Sequence, residues 1–230
     1  MVTTYATKQV PQLIQVQKLT QVRSDVYRFC LQAMDKPTRV QYDWLNSRPF
    51  RTSLRALCEQ FEVRLPAELS LPQDFAAYES VYIACFDVGM PTPPVPLLSS
   101  HYNKREPVPA TIHEHVLFYK RFGTTLAEGN IEPADHLSNE LAFLIWLDEL
   151  LHEGEIDPES IHQARLDFLR RHPYRWLPQA LQAAQEKELP VLFLVLLRLL
   201  THAIKEDVEL TQSLLGDLHD KEGGIRSSSI

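Results

Sequence analysis

The stretch "GNIEPADHLSNELAFLIWLDELLHEG", residues 129 to 154, decides the fold of this chain. Its spacing predicts a helix over 137–151 that is apolar around most of its circumference. The apolar residues are Leu137, Leu141, Phe143, Leu144, Ile145, Trp146, Leu147, Leu150 and Leu151. A peripheral helix carries a narrower apolar stripe, so we expect this helix at the centre of a helical bundle. Gly154 suits its C-terminal end.

Helical spacing extends outward from this stretch over nearly the whole chain. Apolar residues recur every three or four positions at 19–33, 54–61 and 75–86, whereas strand-like alternation is scarce. Pro109, Pro158 and Pro190 precede apolar runs and suit helix starts. The run "LPVLFLVLLRLL" at 189–200 is too short for a membrane span, so it predicts a buried core helix. The sequence predicts an all-α, single-domain helical bundle.

A proline-rich segment, "GMPTPPVPLLSSHYNKREPVPA" at 89–110, interrupts the helical pattern. Repeated proline removes backbone donors and fixes φ, so we expect neither helix nor central strand there. We interpret it as a central loop in one domain over 1–220, with two helical halves hinged near 89–136. The polar residues 221–230 are expected to form a loose tail. The chain would be a monomer, or a dimer that exchanges its halves across the loop.

Composition limits the classes of function. The 230 residues suffice for one sizeable core, and 30 acidic against 23 basic residues disfavour nucleic-acid binding. Cys30, Cys58 and Cys85 lack metal-ligand spacing and are expected to be reduced and buried. The first residues lack the basic and apolar regions of an export signal. We therefore expect a cytoplasmic protein without membrane insertion.

The polar cluster before the central helix has two interpretations. Asn130 or Glu132 can cap the helix, Pro133 fits the first helical position, and Asp135 suits the positive end of the helix dipole. His136 gains nothing from that dipole, so capping explains it less well. His136 and Glu140 lie four residues apart and could ligate a metal, but no second matched pair accompanies them. The pattern therefore does not favour a metal site.

The other histidines favour structural roles. His113 and His115 are two apart on a predicted helix and point in different directions, so they do not form a ligand pair. His115 with Tyr119 is expected at a half-buried edge. His172, in "RRHPYRWLP", is expected beside packed Trp176 and solvated arginines. Since no nucleophile elbow or glycine-rich phosphate loop is present, the sequence does not support catalysis.

A patch of aromatic residues leads directly into the proline-rich segment. Tyr78, Tyr82 and Phe86 fall on one face of a predicted helix. Such a stripe usually belongs to the core. The alternative is a peptide groove, because aromatic side chains beside a rigid, donor-poor loop can receive an apolar segment at low entropic cost.

Four segments together resemble the TorD/DmsD/NarJ family of maturation chaperones for molybdenum oxidoreductases. They are "YESVYIACFDVGMPTPP", "HEHVLFYKRFG", "EPADHLSNELAFLIWL" and "FLRRHPYRWLPQAL". The resemblance covers roughly residues 70–200, and its most specific part is the Glu-Pro-x-Asp-His element at 132–136. Within the family, "PVPLLSSHYNKRE" is most similar to the branch serving ethylbenzene, dimethyl sulfide, selenate or chlorate enzymes.

The resemblance implies a non-enzymatic chaperone without a cofactor of its own. It would bind the cofactor-free catalytic subunit and its twin-arginine leader, assist insertion of molybdopterin guanine dinucleotide and delay export. It would contact the partner's molybdenum cofactor at most transiently. The partner-binding residues that it implies are Tyr78, Tyr82, Phe86, Pro91, Pro93, Pro94, Glu132, Pro133, Asp135 and His136. Some family members have Trp or Phe in the aromatic positions, whereas this sequence has Tyr82 and Phe86.

The chemistry of the motif agrees with this implication. A twin-arginine leader joins two guanidinium groups to an apolar stretch, so its receptor needs carboxylates beside an apolar groove. Glu132 and Asp135 could supply the carboxylates, and His136 could make release depend on pH. Two alternatives remain open: a helical adaptor that recognises a folded surface, and a small metallohydrolase using His136 and Glu140 with another histidine.

Overall fold

The computed structural model describes the backbone of residues 20–126 and 132–226, and the side chains of 20–126 and 132–216. In the described part, the regular secondary structure consists of helices and an isolated antiparallel bridge between Leu98 and His136. The helices are α1 (20–34), α2 (Arg39–Leu45), α3 (Arg48–Gln60), α4 (Phe75–Phe86), α5 (Ser99–Tyr102), α6 (Val108–Arg121), α7 (Leu137–Glu153), α8 (Pro158–Arg171), α9 (Pro173–Glu186) and α10 (Val191–Arg226). The all-α prediction is confirmed.

Local sequence signals explain where these helices begin and end. Thr38 caps α2 in a capping box with Gln41, and the side chain of Asp157 caps α8 by accepting the amide of Ser160. Gly123 and Gly154 both have a φ of +71°, the left-handed conformation that closes α6 and α7. The helix end predicted at Gly154 is confirmed, and Gly123 ends α6 in the same way.

Helix α7 is the central helix that its apolar circumference predicts. Leu141, Leu144 and Leu147 are fully buried in it. It packs against α8, and α10 packs against both α8 and α9. Its buried Asp148 shows that polar groups also reach the core.

A buried network of charges joins four helices. Arg23 of α1 and Arg165 of α8 bind Asp207 of α10 at 3.0 and 2.7 Å, and Arg165 lies 3.1 Å from Asp148 of α7. Tyr27 donates to Asp207 at 2.7 Å. Because a buried charge is stable only when paired, this network fixes the register of α1 against α7, α8 and α10.

The proline-rich segment 89–110 contains helical residues, although its proline content predicts none. It includes the single-turn helix α5, and its last residues already belong to α6, which begins at Val108. The prediction of no helix is therefore wrong for these two parts, because the prolines cluster at 91–96 and 107–109 and leave "SSHY" free to turn. At the other end, α10 continues through Arg226, into the stretch expected to be a polar tail. Residues 227–230 lie outside the described part.

The cysteines are buried and free, as predicted. Within the described ranges, no helix has the length and apolarity needed to cross a bilayer.

Candidate functional site

The Glu-Pro-x-Asp-His element lies before the first turn of α7, whereas we expected its proline to occupy the first helical position. Helix α7 begins at Leu137, so Pro133 does not occupy the first helical position. The cap is His136, whose Nδ1 accepts from the amide of Ser138 at 3.2 Å. The expectation that capping leaves His136 unexplained is therefore wrong. Asn130, the other predicted cap, lies outside the described residues.

Asp135 ties the proline-rich segment to the central helix. Its carboxylate is fully buried, and Oδ2 accepts from the amide of Ser100 at 2.9 Å. The backbone continues this junction, because Ser99 donates to the carbonyl of Asp135 and Leu137 donates to that of Leu97. The carboxylate thus cannot meet an arginine in this conformation, and its role is to hold the two segments together.

Glu132 and His136, the half-buried side chains of the motif, form a charged cluster with residues from other elements. Glu132 pairs with Lys36 at 2.6 Å, and its second oxygen lies 3.8 Å from Nε2 of His136. Asp87 is close enough to Lys36, Glu132 and His136 to interact electrostatically with all three. Burial, together with the charge of Glu132, raises the pKa of Asp87, while burial lowers the pKa of His136. We call Lys36, Asp87, Glu132 and His136 the hinge surface.

Exposed apolar side chains follow Asp87 directly. Val88 is 64% and Met90 99% exposed, and Pro91 is exposed beside them. Pro93 and Pro94 are half-buried. A cluster of exposed apolar residues beside charged groups is typical of an interaction surface. The start of the proline-rich segment therefore presents apolar groups next to the hinge surface.

The aromatic stripe of α4 lies in the core. Tyr78, Tyr82 and Phe86 are at most 4% exposed. Phe86 contacts Phe193 of α10 edge-on at 4.8 Å between ring centroids, and the Tyr82 hydroxyl donates to the carbonyl of Met34 at 2.9 Å. Of the two interpretations, the structure supports the core stripe, because a partner cannot reach these rings in this conformation.

A groove of about 490 Å³ adjoins the hinge surface and shares Lys36 and Glu132 with it. Its apolar lining includes Leu31, Leu126, Phe143 and Trp146, and its polar lining includes Asp35 and Glu132. Glu132 therefore belongs to both the groove and the hinge surface. Carboxylates at the mouth of an apolar groove suit a ligand that combines cationic and apolar groups.

Sequence reasoning missed three residues of this region. Asp35 and Lys36 come from the connection between α1 and α2, and Asp87 is the C-cap of α4. No motif marks Asp35 or Lys36, and Asp87 lies in the quoted segment at 78–94 without being singled out there, because all three approach Glu132 only through tertiary packing. The sole available signal was that "MDKPT" is a polar break between two apolar helices.

The histidines pair differently from the prediction. Glu140 does not meet His136; it accepts from Trp176 at 2.9 Å and lies 2.8 Å from Nε2 of His115. His115 is fully buried, so the half-buried edge predicted for it is wrong. His172 packs against His115 in the core, with 3.8 Å between ring centroids. The predicted packing of Trp176 is confirmed.

Three comparisons bear on the identity of the chain. The model of the family described as "Nitrate reductase delta subunit" matches residues 46–182, more than half of the chain. No solved structure matches it significantly. The perchlorate reductase assembly chaperone protein of Dechloromonas aromatica (strain RCB) is 29% identical over 157 residues, which are 66% of this chain and 70% of that protein.

Two further relatives match shorter stretches. The selenate reductase assembly chaperone protein of Thauera selenatis is 33% identical over 44% of this chain and 54% of its own length. The chlorate reductase assembly chaperone protein of Ideonella dechloratans is 32% identical over 48% of this chain and 58% of its own length. The chain belongs to the nitrate reductase delta subunit family, the TorD/NarJ family that its motifs indicate.

Proposed function

We propose that this chain is a dedicated assembly chaperone that binds the cofactor-free catalytic subunit of a molybdenum oxidoreductase. The observation that carries this proposal is the similarity to three proteins named as reductase assembly chaperones, in addition to the family match. The same names support a role without catalytic turnover. The chaperone acts in the cytoplasm, assists insertion of the molybdopterin guanine dinucleotide cofactor and delays export until the subunit has folded.

The twin-arginine leader of that subunit binds at the hinge surface and the adjoining groove. Two guanidinium groups pair with the carboxylates of the hinge surface, the exposed Asp87 and the half-buried Glu132. The apolar part of the leader enters the groove lined by Phe143 and Trp146 or covers Met90. Charge-assisted hydrogen bonds from arginine to carboxylate are among the strong ones, and apolar burial adds affinity without needing a fixed sequence.

Asp135, Tyr78, Tyr82 and Phe86 take part indirectly in this conformation. They are buried, so they position the hinge surface and the proline-rich segment without touching the leader while the two halves stay packed. Direct contact becomes possible if the two helical halves separate at 89–136 when the subunit binds, as a hinge or an exchange of halves between two copies requires.

Native purification of the tagged chain from its own host tests the main proposal. Mass spectrometry of the co-purifying proteins should identify one molybdenum-enzyme catalytic subunit that retains its leader, with no molybdopterin in the sample. Equally tight binding to the folded, cofactor-loaded subunit would instead identify a helical adaptor. Absence of any such subunit would contradict the chaperone role.

A binding titration tests the leader site separately. The probe is a synthetic peptide that copies the leader of the co-purified subunit. Asp87→Asn and Glu132→Gln should each weaken its binding about 10-fold or more, because a charge-assisted hydrogen bond contributes about 1.5–3 kcal/mol. Glu155→Gln, an exposed carboxylate after α7, serves as the matched control and should bind normally. Unchanged binding by both hinge variants would exclude this site while leaving the chaperone role intact.

A further inference from the structure

A buried polar cluster lies where α6, α7 and the α8–α9 junction meet. His115, Glu140 and His172 are 0%, 0% and 2% exposed. One nitrogen or oxygen from each lies within 4.8 Å of the others. Phe118 and Phe168 pack around the imidazoles at 4.9–5.8 Å between ring centroids. The cluster is therefore sealed by aromatic rings on this side.

Hydrogen bonds fix the orientation of His115 and Glu140. Nδ1 of His115 is 2.8 Å from the carbonyl oxygen of Thr111, which can only accept, so Nδ1 carries a proton. Nε2 of His115 lies 2.8 Å from Oε1 of Glu140. When the ring is neutral, Nε2 has no proton, and its lone pair points at this oxygen. Two facing acceptors require a cation between them, either a proton or a metal ion.

The surroundings resemble the second shell of a metal site. Ligating histidines usually donate their other N–H to a backbone carbonyl, as His115 does to Thr111. Ligating carboxylates are usually hydrogen-bonded in turn, as Oε2 of Glu140 is by the indole N–H of Trp176 at 2.9 Å. These contacts occupy Nδ1 of His115 and Oε2 of Glu140. Nε2 of His115 and Oε1 of Glu140 are left facing each other.

His172 supplies the third polar atom. Its Nε2 is buried and has no hydrogen-bond partner among the described residues; the carboxylate of Glu114 is 3.9 Å away. Leaving a buried nitrogen unsatisfied is costly, so such an atom calls for a ligand. A cavity of about 470 Å³ lies beside His172 and is lined by His172, Trp176 and Tyr102, while the described residues that line it do not include His115 or Glu140.

We propose that His115, Glu140 and His172 bind one divalent transition-metal ion of the zinc class. Two imidazoles and one carboxylate are a ligand set that Zn²⁺ accepts, with bonds of about 2.0–2.2 Å. Tetrahedral bonds of this length place two ligand atoms about 3.4 Å apart. The 2.8 Å spacing of His115 and Glu140 must therefore widen, and the widest spacing, within 4.8 Å, must contract. The ion links α6, α7 and the α8–α9 junction and takes the place of the proton between His115 and Glu140.

Cobalt titration of the full chain tests this site. The chain is freed of metal with a chelator under native conditions and titrated with Co²⁺, whose visible absorption reports nitrogen and oxygen ligation. We expect one Co²⁺ per chain, displacement by Zn²⁺, and a higher Tm with either ion. Wild-type protein that gives neither the absorption band nor the Tm increase overturns the proposal.

Two variants locate the site, and a third controls for other histidines. His172→Gln and Glu140→Gln each remove one ligand while keeping a polar side chain of similar size, and should weaken Co²⁺ binding at least about 10- to 100-fold. His113→Gln, exposed on the same helix as His115, should bind Co²⁺ as wild type does. Circular dichroism checks that each variant is folded. Loss of the band in His113→Gln, or its persistence in both folded ligand variants, would place the metal elsewhere and overturn the assignment.

Discussion

The amide of Ser100 donates a hydrogen bond to the buried carboxylate of Asp135, with 2.9 Å between N and Oδ2. Ser100 belongs to the single turn α5 inside the proline-rich segment, and Asp135 to the motif that precedes the central helix. This bond connects the two sequence signals that indicate the family. It also gives a structural role to the Asp135 carboxylate, which is too deeply buried to bind a partner in this conformation.

Asp135→Ala should therefore reduce stability more than helix content. Removing the acceptor leaves a buried N–H unsatisfied, which costs about 1–3 kcal/mol in the free energy of unfolding. Asp135→Asn keeps an acceptor oxygen and should cost less. Urea unfolding and amide hydrogen exchange at Ser100 measure the two effects. A fully stable Asp135→Ala with protected Ser100 would contradict this role.

Gly89 is required where the proline-rich segment folds back on itself. A Cβ at this position would lie 2.2 Å from the carbonyl oxygen of Thr92 and 2.6 Å from Cα of Pro93. Since both are backbone atoms, Gly89→Ala must displace the loop, and we expect a loss of about 1–3 kcal/mol in the free energy of unfolding.

The control for this variant is Gly216→Ala. Gly216 lies in α10 with nothing within 4 Å of an added Cβ, so the change should stabilise the helix by about 0.5–1 kcal/mol. Urea unfolding of both variants gives the comparison. Equal effects of the same sign would show that the approach of Gly89 to Thr92 does not matter.

Lys36 occupies the position that the proposed leader arginine would take. Its ammonium group lies 2.6 Å from Glu132, so an incoming guanidinium must displace it. If the proposed leader site is correct, Lys36→Ala should tighten leader-peptide binding up to about fivefold, since an exposed ion pair contributes about 0.2–1 kcal/mol. Lys205→Ala, which breaks the exposed pair with Glu209, is the control. Weaker binding by Lys36→Ala would show that Lys36 assists the leader.

Asp207 should be the most sensitive acidic residue of the core. Asp207→Asn leaves Arg23 and Arg165 buried with half their negative partners, and we expect a loss of about 3–5 kcal/mol in the free energy of unfolding. Burial alone would raise the pKa of Asp207, but the two guanidinium groups hold it well below its usual value. Glu209→Gln, exposed on the same helix, should change stability by less than about 1 kcal/mol.

His162 should make stability fall in mild acid. Burial and the nearby Arg23 and Arg165 lower the pKa of His162 to about 4. Between its unfolded pKa of about 6.5 and that value, the unfolded chain binds the proton first, so stability decreases as pH falls, by up to about 1.4 kcal/mol per pH unit. Urea unfolding of His162→Gln between pH 7 and pH 5 should show a smaller decrease than wild type. An identical decrease would assign the effect to other groups.

The central helix could be predicted from sequence because α7 is apolar on nearly every side. Such a helix removes its apolar surface from water only in the interior of the bundle. Gly154 and Pro158 likewise located helix ends, since they act through the local backbone. The aromatic stripe of α4 was ambiguous for the opposite reason. Periodicity shows which face is apolar, but only the fold shows that Phe193, more than a hundred residues away, covers it.

The site was less predictable because its groups come from distant parts of the chain. The Glu-Pro-x-Asp-His element is a local pattern, yet nothing in the sequence indicates that Lys36 and Asp87 are its partners. Glu140 seemed paired with His136 by helical spacing, whereas the tertiary fold directs it to His115. Spacing predicts neighbours within one helix and cannot predict which buried side chain from another helix approaches.

The buried network of Arg23, Arg165, Asp148 and Asp207 contains two positive and two negative groups, which cancel. It therefore contributes nothing to the formal net charge of −7, which arises from the remaining side chains. A negative surface attracts basic segments before contact and accelerates their diffusional encounter. Association of a positively charged peptide with this protein should consequently slow as ionic strength rises, while the internal ion pairs that maintain the bundle remain shielded from the same salt.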